Sequence, residues 1–425
     1  MNKTILSICM PTRNRYQYLE QTLLHLEFVN SLHFPVEIVI CDGSEGDDTK
    51  KLAERISDNL PIRYFHEKKS SGYEQAVVSA FRAARGKYSV YLGDEDRLMP
   101  EQLAEHIAFM EQNPHYAACY SPWELWNDIE KKAFSQFFYL DKIYSFQRAN
   151  SLELFNLILS RHIMPETAVY RTDSFQKVLY APRKNYWATV WLFHLLKYGE
   201  VCFHPKPFHR VTVQSELDQS TGRMPIGNTM AINYLDRYRG SLETALFMAL
   251  ENAALPINQD TKISALDAIN QFLNARVNVA ARLSRGQRDF IGANELHIRN
   301  LLWQQKIDTN AVVEWEKQVV PMAAIQAVAH LFDNTIAELK KLVLCEFANP
   351  EGLINGFRSL YPNLPVEVLT SEQIIRHSDR MSFMVLTEKE ESRKKLVNSG
   401  LFPGFVTVFQ EVMNNFGILP RRFMK

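Results

Sequence analysis

The sequence contains few of the features that mark disulfide-bonded, zinc-binding or membrane-spanning proteins. It has only 5 cysteines in 425 residues, and no two of them form a CxxC pair, so zinc sites and disulfide frameworks are not expected. No apolar run approaches the roughly 18 residues of a spanning helix. The apolar stretch near Met1 is only about six residues long, too short for a signal peptide. We therefore expect a cytoplasmic protein, soluble or peripheral to the inner face of a membrane.

Charge of one sign is also lacking, because 48 Lys and Arg residues balance 48 Asp and Glu residues. A protein without net positive charge has no global field to attract nucleic acid, so we expect no nucleic-acid partner. Hydrophobic residues make up 46% of the chain and aromatic residues 12%, enough to build globular cores. The chain is too long for one core, so about two or three domains are expected.

Short apolar runs alternate with helical patterns through the first hundred residues. The run at 5–9 is followed by apolar residues at helical spacing from Tyr16, the pattern of a strand and an amphipathic helix. Three further apolar runs, at 36–41, 62–67 and 87–92, are each followed by a helical pattern as well. This βαβαβαβ order predicts a largely parallel sheet with helices on both faces.

The composition changes twice along the chain. Gly, Pro and Ser are dense at 218–228, helical patterns follow, and strand-like runs return near the C-terminus, which indicates domain boundaries. We predict an α/β domain at 1–225, a helical domain or linker at 226–338, and a small accessory α/β domain at 339–425. The last region has no acidic cluster and no glycine-rich phosphate loop, so we expect it to serve in partner contact, oligomerisation or acceptor delivery.

The glycine-rich loops that bind phosphate in the commonest nucleotide folds are absent. No GxGxxG follows the first strand, which disfavours a Rossmann dinucleotide fold, and no GxxxxGK[ST] occurs, which disfavours a P-loop ATPase. The loops after the four predicted strands have a different composition: basic, acidic with glycine, basic with glycine, and triply acidic. They read PTRNR (11–15), DGSEGDD (42–48), KKSSGY (68–73) and GDEDR (93–97).

These loops are expected to meet, because the carboxyl ends of parallel strands share one edge and open α/β sheets bind ligands there. Arginine and lysine can contact phosphate, carboxylates can hold a divalent cation, and glycine permits close backbone approach. Asp94, Glu95 and Asp96 are adjacent, although a turn needs only one Asp. The loops therefore predict a site for a metal-chelated, negatively charged ligand, with the acidic side chains outside the core.

The stretch SICMPTRNR…EIVICDGSEGDDT…SSGYEQAVVSAFRAARGKYSVYLGDEDRLMP resembles the donor half of family 2 glycosyltransferases, which have the GT-A fold. The resemblance is strong over about 4–110 and fainter to about 215. It implies that Asp42 contacts the nucleobase and that the acidic cluster binds Mn²⁺ or Mg²⁺ and the donor diphosphate. Donor contacts are expected at Thr12, Arg13, Arg15, Asp42, Ser44, Gly72, Asp94 and Glu95, and metal ligands at Asp94, Asp96 and His209.

The chain departs from the family pattern in its acidic residues. Gly93 stands where the family often has Asp. The acidic pair that usually supplies the catalytic base is missing, because no carboxylate occurs between Asp173 and Glu200. Glu166, which precedes a predicted strand, is the first candidate for the base. The other candidates are Glu124 and His194.

The prediction is a divalent-metal-dependent, inverting glycosyltransferase that uses a nucleotide-sugar donor, with a UDP-sugar favoured. Its acceptor would be a glycan, a lipid-linked molecule or another hydroxyl compound, and the C-terminal regions could form a homo-oligomer. An alternative is a non-catalytic nucleotide-sugar-binding scaffold that kept the donor site and lost the base. A nucleotidyltransferase ranks third, because PTRNR lacks the glycine-rich stretch that such enzymes use to bind triphosphate.

Overall fold

The computed structural model describes residues 4–67, 72–256, 258–304, 308–333, 340–416 and 418. The chain divides into two compact units, Met1–Leu273 and Asn274–Lys425. Each unit has a buried apolar core of its own. The division falls inside the region predicted to be helical, and the boundaries predicted near residues 225 and 338 stay predictions.

The first unit begins with alternating strands and helices, as the apolar pattern predicts. Strand β1 is buried at every position, as expected of an apolar run in a parallel strand that is covered on both faces. Helix α4 begins at Pro100, whose fixed φ suits the first helical position. The elements are β1 (Leu6–Thr12), α1 (Tyr16–His25), β2 (Val36–Asp42), α2 (Asp48–Ile56), β3 (Ile62–His66), α3 (Tyr73–Ala83), β4 (Tyr88–Tyr91), β5 (Arg97–Leu98) and α4 (Pro100–Gln112).

The rest of the first unit completes two sheets and adds helices. The elements are β6 (Tyr116–Tyr120), β7 (Glu124–Asn127), β8 (Lys132–Gln136), β9 (Tyr144–Phe146), α5 (Ser151–Ser160), β10 (Ala168–Arg171), α6 (Thr172–Phe175), α7 (Trp187–Leu195), β11 (Glu200–Phe203), β12 (His209–Gln214), α8 (Glu216–Thr221), α9 (Ile226–Asn233) and α10 (Leu235–Asn252). Within the described residues, the large sheet has the order β3-β2-β1-β4-β10-β6-β11-β9 and the small sheet β5-β12-β7-β8.

The register of the parallel strands decides which loops meet. Thr12 at the end of β1 is level with Asp42 at the end of β2, and Cys9 is level with Tyr91 at the end of β4. The chain after β1 therefore lies between the loops that follow β2 and β4. This places the basic loop beside the triply acidic loop at the carboxyl edge, where α/β sheets bind ligands.

The second unit ends in a small parallel sheet with the order β14-β13-β15-β16. Apolar clusters cover both faces of this sheet, so the predicted C-terminal α/β architecture is confirmed. The elements are α11 (Gln259–Gly286, which contains the division between the units), α12 (Phe290–Trp303), α13 (Thr309–Gln318), α14 (Val320–Asp333), β13 (Lys341–Cys345), α15 (Glu351–Leu360), β14 (Val366–Leu369), α16 (Ser371–Arg376), β15 (Phe383–Thr387), α17 (Glu390–Asn398), β16 (Val406–Val408) and α18 (Phe409–Asn415).

All five cysteines are buried, and each carries a free thiol. Among the described residues, no helix combines the length and the apolar composition needed to cross a membrane.

Candidate functional site

A cavity of about 290 Å³ opens at the carboxyl edge of the parallel strands. Loops after β1, β2 and β4, the start of α3, the segment before β10 and helix α9 all contribute to it, so residues distant in sequence converge there. Lys68, Lys69, Ser70 and Ser71, from the loop after β3, lie outside the described residues. The described lining is Pro11, Thr12, Arg13, Arg15, Gly43, Glu67, Gly72, Tyr73, Ala76, Tyr91, Gly93, Asp94, Glu95, Asp96, Glu166, Val211, Ile226, Gly227 and Met230.

The three acidic side chains after β4 are buried rather than solvated. Asp94 is 4% exposed and Asp96 is 7% exposed, which corrects the expectation that these side chains lie outside the core. Arg15 lies between two of them: its Nε donates to Asp94 Oδ1 at 2.9 Å, and its Nη2 pairs with Glu95 Oε2. The guanidinium also stacks over Tyr18, at 3.8 Å from the ring centroid. One cation from the first loop therefore neutralises part of the charge of the fourth.

Burial governs the protonation of this acidic loop. It raises the pKa of Glu95 to about 8, with Arg15 opposing the rise and the charges of Asp96 and Asp94 adding to it. Burial also raises the pKa of Asp94, although Arg15 and a 2.7 Å hydrogen bond from Thr12 Oγ1 favour its charged form. Arg15 pairs with Asp94 and Glu95 but not with Asp96, so the loop has more carboxyl groups than this one cation can neutralise, and a bound divalent cation could neutralise the remainder.

Asp96 is fixed by the small sheet. Its Oδ1 accepts the backbone N–H of Thr212 at 3.0 Å, and its Oδ2 lies 3.2 Å from His209 Nε2. A Cβ atom on Gly93 would lie 2.6 Å from Asp96 Oδ2, so the absence of a side chain there lets the carboxylate fold back over the loop. His209 is buried behind Asp96 and is not among the described residues that line the cavity.

Glu95 joins the acidic loop to α9. Its Oε1 accepts the backbone N–H of Ile226, the first residue of that helix, at 3.1 Å. This bond satisfies one of the N–H groups that a helix leaves unpaired at its N-terminus. Ile226, Gly227 and Met230 then form an apolar wall of the cavity. The wall lies beyond residue 225, where composition predicts a boundary.

Asp42 and Ser44 lie beside the cavity but are not among its described lining residues. Asp42 is fully buried: Oδ1 accepts the Ser44 N–H at 2.8 Å, and Oδ2 accepts the Tyr64 hydroxyl at 2.7 Å. Arg13 reaches the cavity over Gly43, where an added Cβ would meet its side chain at 3.7 Å. The structure thus brings Arg13, but not Asp42, to the cavity surface.

The base candidates are in three different places. Glu166 lines the cavity from the segment before β10. Glu124 is paired with Arg210 on the small sheet, at 2.7 Å, and His194 lies on α7 against the ring of Tyr180. Neither Glu124 nor His194 is among the described lining residues, so proximity favours Glu166.

Several lining residues carry no sequence signal strong enough to select them. Tyr73 begins α3 and Tyr91 ends β4, and both resemble ordinary core aromatics at helical or strand spacing. Glu67 accepts from Ser79 Oγ at 3.1 Å and has no motif around it. Gly72, with φ of 94° before Tyr73, adopts a backbone conformation that favours glycine, and it is one of the predicted donor-binding residues.

Residues 7–179 match the family described as Glycosyl transferase family 2, which confirms the predicted resemblance for this part of the chain. Together with the sheet it also confirms the predicted fold class. "Abequosyltransferase RfbV" of Salmonella typhimurium is 26% identical over 117 residues, 27% of this chain and 35% of that protein. "Putative teichuronic acid biosynthesis glycosyltransferase TuaG" of Bacillus subtilis is 26% identical over 111 residues, 25% of this chain and 42% of that protein. The matches thus span less than half of these relatives.

Two solved structures have a similar arrangement. S. aureus TarS 1–349 in complex with UDP-GlcNAc has a TM-score of 0.41 and 14% identity, covering 71% of this chain and 89% of that one. Mannosyltransferase PcManGT from Pyrobaculum calidifontis, in complex with GDP-Man and Mn²⁺, has a TM-score of 0.39 and 14% identity, covering 79% and 89%.

Proposed function

We propose that the domain matching Glycosyl transferase family 2 moves a sugar from a nucleotide-diphosphate sugar to an acceptor hydroxyl, with inversion at the sugar carbon. The observation that carries this proposal is the cavity itself, in which Arg13 and the acidic loop adjoin Glu166. A UDP-sugar is the favoured donor, and a glycan or lipid-linked hydroxyl is the favoured acceptor. The names of RfbV and TuaG support a role in polysaccharide or glycoconjugate synthesis. The proposal places this role in the cytoplasm or at the inner face of a membrane.

The roles of the residues follow from their places around the cavity. Arg13, half exposed at its mouth, can pair with donor phosphate oxygens. Asp42 and Ser44 shape the loop that would meet the nucleobase. Glu166 would accept the proton of the acceptor hydroxyl as that oxygen attacks the sugar. Holding donor and acceptor together would supply much of the rate.

The acidic loop fits a divalent cation that the donor itself helps to hold. Among the described residues, no group of three or more His, Cys, Asp and Glu side chains is arranged to hold a metal. Mg²⁺ and similar ions, however, are often bound by one or two carboxylates together with substrate phosphates and water. Asp96 would be the principal ligand, since each of its oxygens accepts one bond here and keeps a second lone pair, and Asp94 would be the second ligand. His209 would become a ligand only by giving up its contact with Asp96. Mn²⁺ or Mg²⁺ would stabilise the departing diphosphate.

A non-catalytic nucleotide-sugar-binding scaffold is the second candidate. One observation favours it: α7 begins with the buried Trp187, Ala188 and Thr189, where related enzymes usually supply a carboxylate. Binding without turnover would identify this alternative.

The test is turnover of a donor panel. The purified protein is incubated with UDP- and GDP-linked hexoses and N-acetylhexosamines, with Mn²⁺, Mg²⁺ or EDTA, and nucleoside diphosphate release is measured. We expect metal-dependent release with at least one donor, and transfer once a suitable acceptor is added. Donor binding without release across a broad acceptor panel would instead support the scaffold.

Glu166→Gln tests the base within the same assay. The substitution keeps the shape of the side chain and removes its basicity, so transfer should fall about 100-fold or more while donor affinity stays unchanged. Glu124→Gln is the matched control, because Glu124 pairs with Arg210 on the small sheet and should retain transfer. Near-parental transfer by Glu166→Gln would remove Glu166 from this role.

A further inference from the structure

Two tyrosine hydroxyls meet on the wall of the cavity. Tyr73, the first residue of α3, and Tyr91, the last residue of β4, both line it, and their hydroxyl oxygens are 2.5 Å apart. In a bonded pair of hydroxyls, one hydrogen is used between the two oxygens and the other remains available for a third partner. The pair therefore presents one hydroxyl hydrogen and several lone pairs to its surroundings.

The pair adjoins the acidic loop through the space above Gly93. A Cβ atom at Gly93 would lie 3.4 Å from the Tyr91 hydroxyl and 2.6 Å from Asp96 Oδ2. Tyr91 and Asp96 thus occupy the space that a side chain at this position would fill. Gly93 is therefore covered by the Tyr91 hydroxyl and the Asp96 carboxylate.

The pair lines the same cavity as Glu166. Burial raises the pKa of Tyr73 well above its usual value, Tyr91 raises it further, and the charges of Glu166 and Asp96 add to the rise. For Tyr91, burial again raises the pKa most, followed by the charge of Asp96, and Glu166 and Asp94 also contribute. The two hydroxyls therefore lie within the electrostatic reach of both the acidic loop and Glu166.

An inverting transfer requires the leaving group and the base on opposite sides of the sugar. If the diphosphate lies at the acidic loop and the base is Glu166, the sugar would lie between them, in the cavity that the tyrosine pair also lines. We infer that Tyr73 and Tyr91 bind the transferred sugar through its hydroxyl groups and so set the sugar specificity of this site. The inference rests on the proposed function and adds the residues that select the donor sugar.

The test compares the affinity for a nucleotide-sugar with that for its nucleoside diphosphate, which lacks the sugar. Dissociation constants are measured by calorimetry for UDP and GDP and for the panel of UDP- and GDP-linked sugars, with Tyr73→Phe, Tyr91→Phe and the wild type. For the donor that the wild type binds most tightly, we expect about tenfold weaker binding in each variant. Binding of the corresponding diphosphate should change by less than about twofold, because the sugar contact is absent.

Tyr120→Phe is the matched control, because Tyr120 is a buried tyrosine of β6 outside the described lining. Removing its hydroxyl should leave the affinities for the nucleotide-sugar and for the nucleoside diphosphate unchanged. If Tyr73→Phe does not fold, Tyr91→Phe alone decides the question. Parental nucleotide-sugar affinity in the Phe variants, or equal weakening for sugar and diphosphate, would overturn the inference and leave the proposed function standing. A wild type that binds no donor of the panel would overturn both.

Discussion

At the scale of single residues, Arg15 determines how three neighbouring carboxylates can be buried together. It contacts Asp94 and Glu95 at once, while Asp96 is fixed by a backbone N–H of the small sheet. The sequence indicates that this acidic cluster is functional, because a turn needs one Asp and not three. It does not indicate that an arginine 79 residues earlier, by the separation from Asp94, is the partner. That pairing depends on the register of β1 and β4.

Replacing Arg15 by methionine should destabilise the protein strongly. The change would leave Asp94 and Glu95 buried without their cation, a loss that costs about 3 kcal/mol or more of unfolding free energy. Adding Glu95→Gln should restore part of that loss. Equilibrium denaturation in urea measures both effects.

Arg55→Met is the control for this prediction, because Arg55 pairs with Glu20 at an exposed position. Its effect should stay below about 1 kcal/mol. Equal destabilisation by the two substitutions would show that Arg15 has no special part in burying the acidic loop.

At the scale of the elements, the sequence predicts the first domain well because each parallel strand is an apolar run followed by a helical pattern. The strands observed at 6–12, 36–42, 62–66 and 88–91 agree with those runs to within a few residues. Helix α9 shows where such prediction fails. Its residues include none that are buried, and the preceding segment is rich in glycine and proline. Composition therefore indicates a boundary, whereas the structure places a wall of the cavity there.

Helix α4 contains a histidine whose burial has a measurable effect on stability. His106 donates from Nδ1 to the Gln102 carbonyl at 2.8 Å, and its Nε2 is buried without a partner among the described residues. The ring packs against His204 and Phe208, with centroids 4.6 and 4.9 Å away. Burial lowers the pKa of His106 to about 4, the bond to Gln102 opposes this, and His204 lowers it further.

This pKa predicts acid sensitivity between about pH 6.5 and pH 4. The folded-state pKa lies below the unfolded value of about 6.5, so the unfolded chain binds the proton first in that range. Stability should be complete above about pH 6.5 and fall by up to about 1.4 kcal/mol per pH unit as the pH decreases. His106→Asn, which keeps the N–H to Gln102, should flatten the pH dependence of the unfolding free energy. His33→Asn, at an exposed position, should not. An unchanged slope in His106→Asn would refute the assignment.

At the scale of the whole molecule, two compact units divide near residue 273. Sequence composition does not locate this division, because the division falls inside the continuous helix α11. No glycine, proline or change in charge marks the sequence there. The two α/β cores themselves were predictable, since each has strands of buried apolar residues. The sequence predicts which loops form the candidate site, but it does not predict which side chains line the cavity. Which side chains line it depends on the packing of α9 and of the segment before β10.

A chain ending at Gly286 should keep the site, and one ending at Gly222 should lose it. The longer chain retains α9, which lines the cavity, and α10, whose buried face includes Leu242 and Ala245. The shorter chain removes both, along with the Ile226 N–H that Glu95 accepts. Calorimetry with UDP and the donor panel, together with circular dichroism, distinguishes the two outcomes. Full affinity in a folded chain ending at Gly222 would show that α9 is dispensable.

The buried thiols could report the order in which the two units of this protein open. A thiol reagent can attack a buried cysteine only after the surrounding structure opens. Cys9 in β1 and Cys202 in β11 belong to the first unit, whereas Cys345 in β13 belongs to the second. The order in which these native thiols become labelled, followed by mass spectrometry, would therefore show which unit opens first, with no introduced probe.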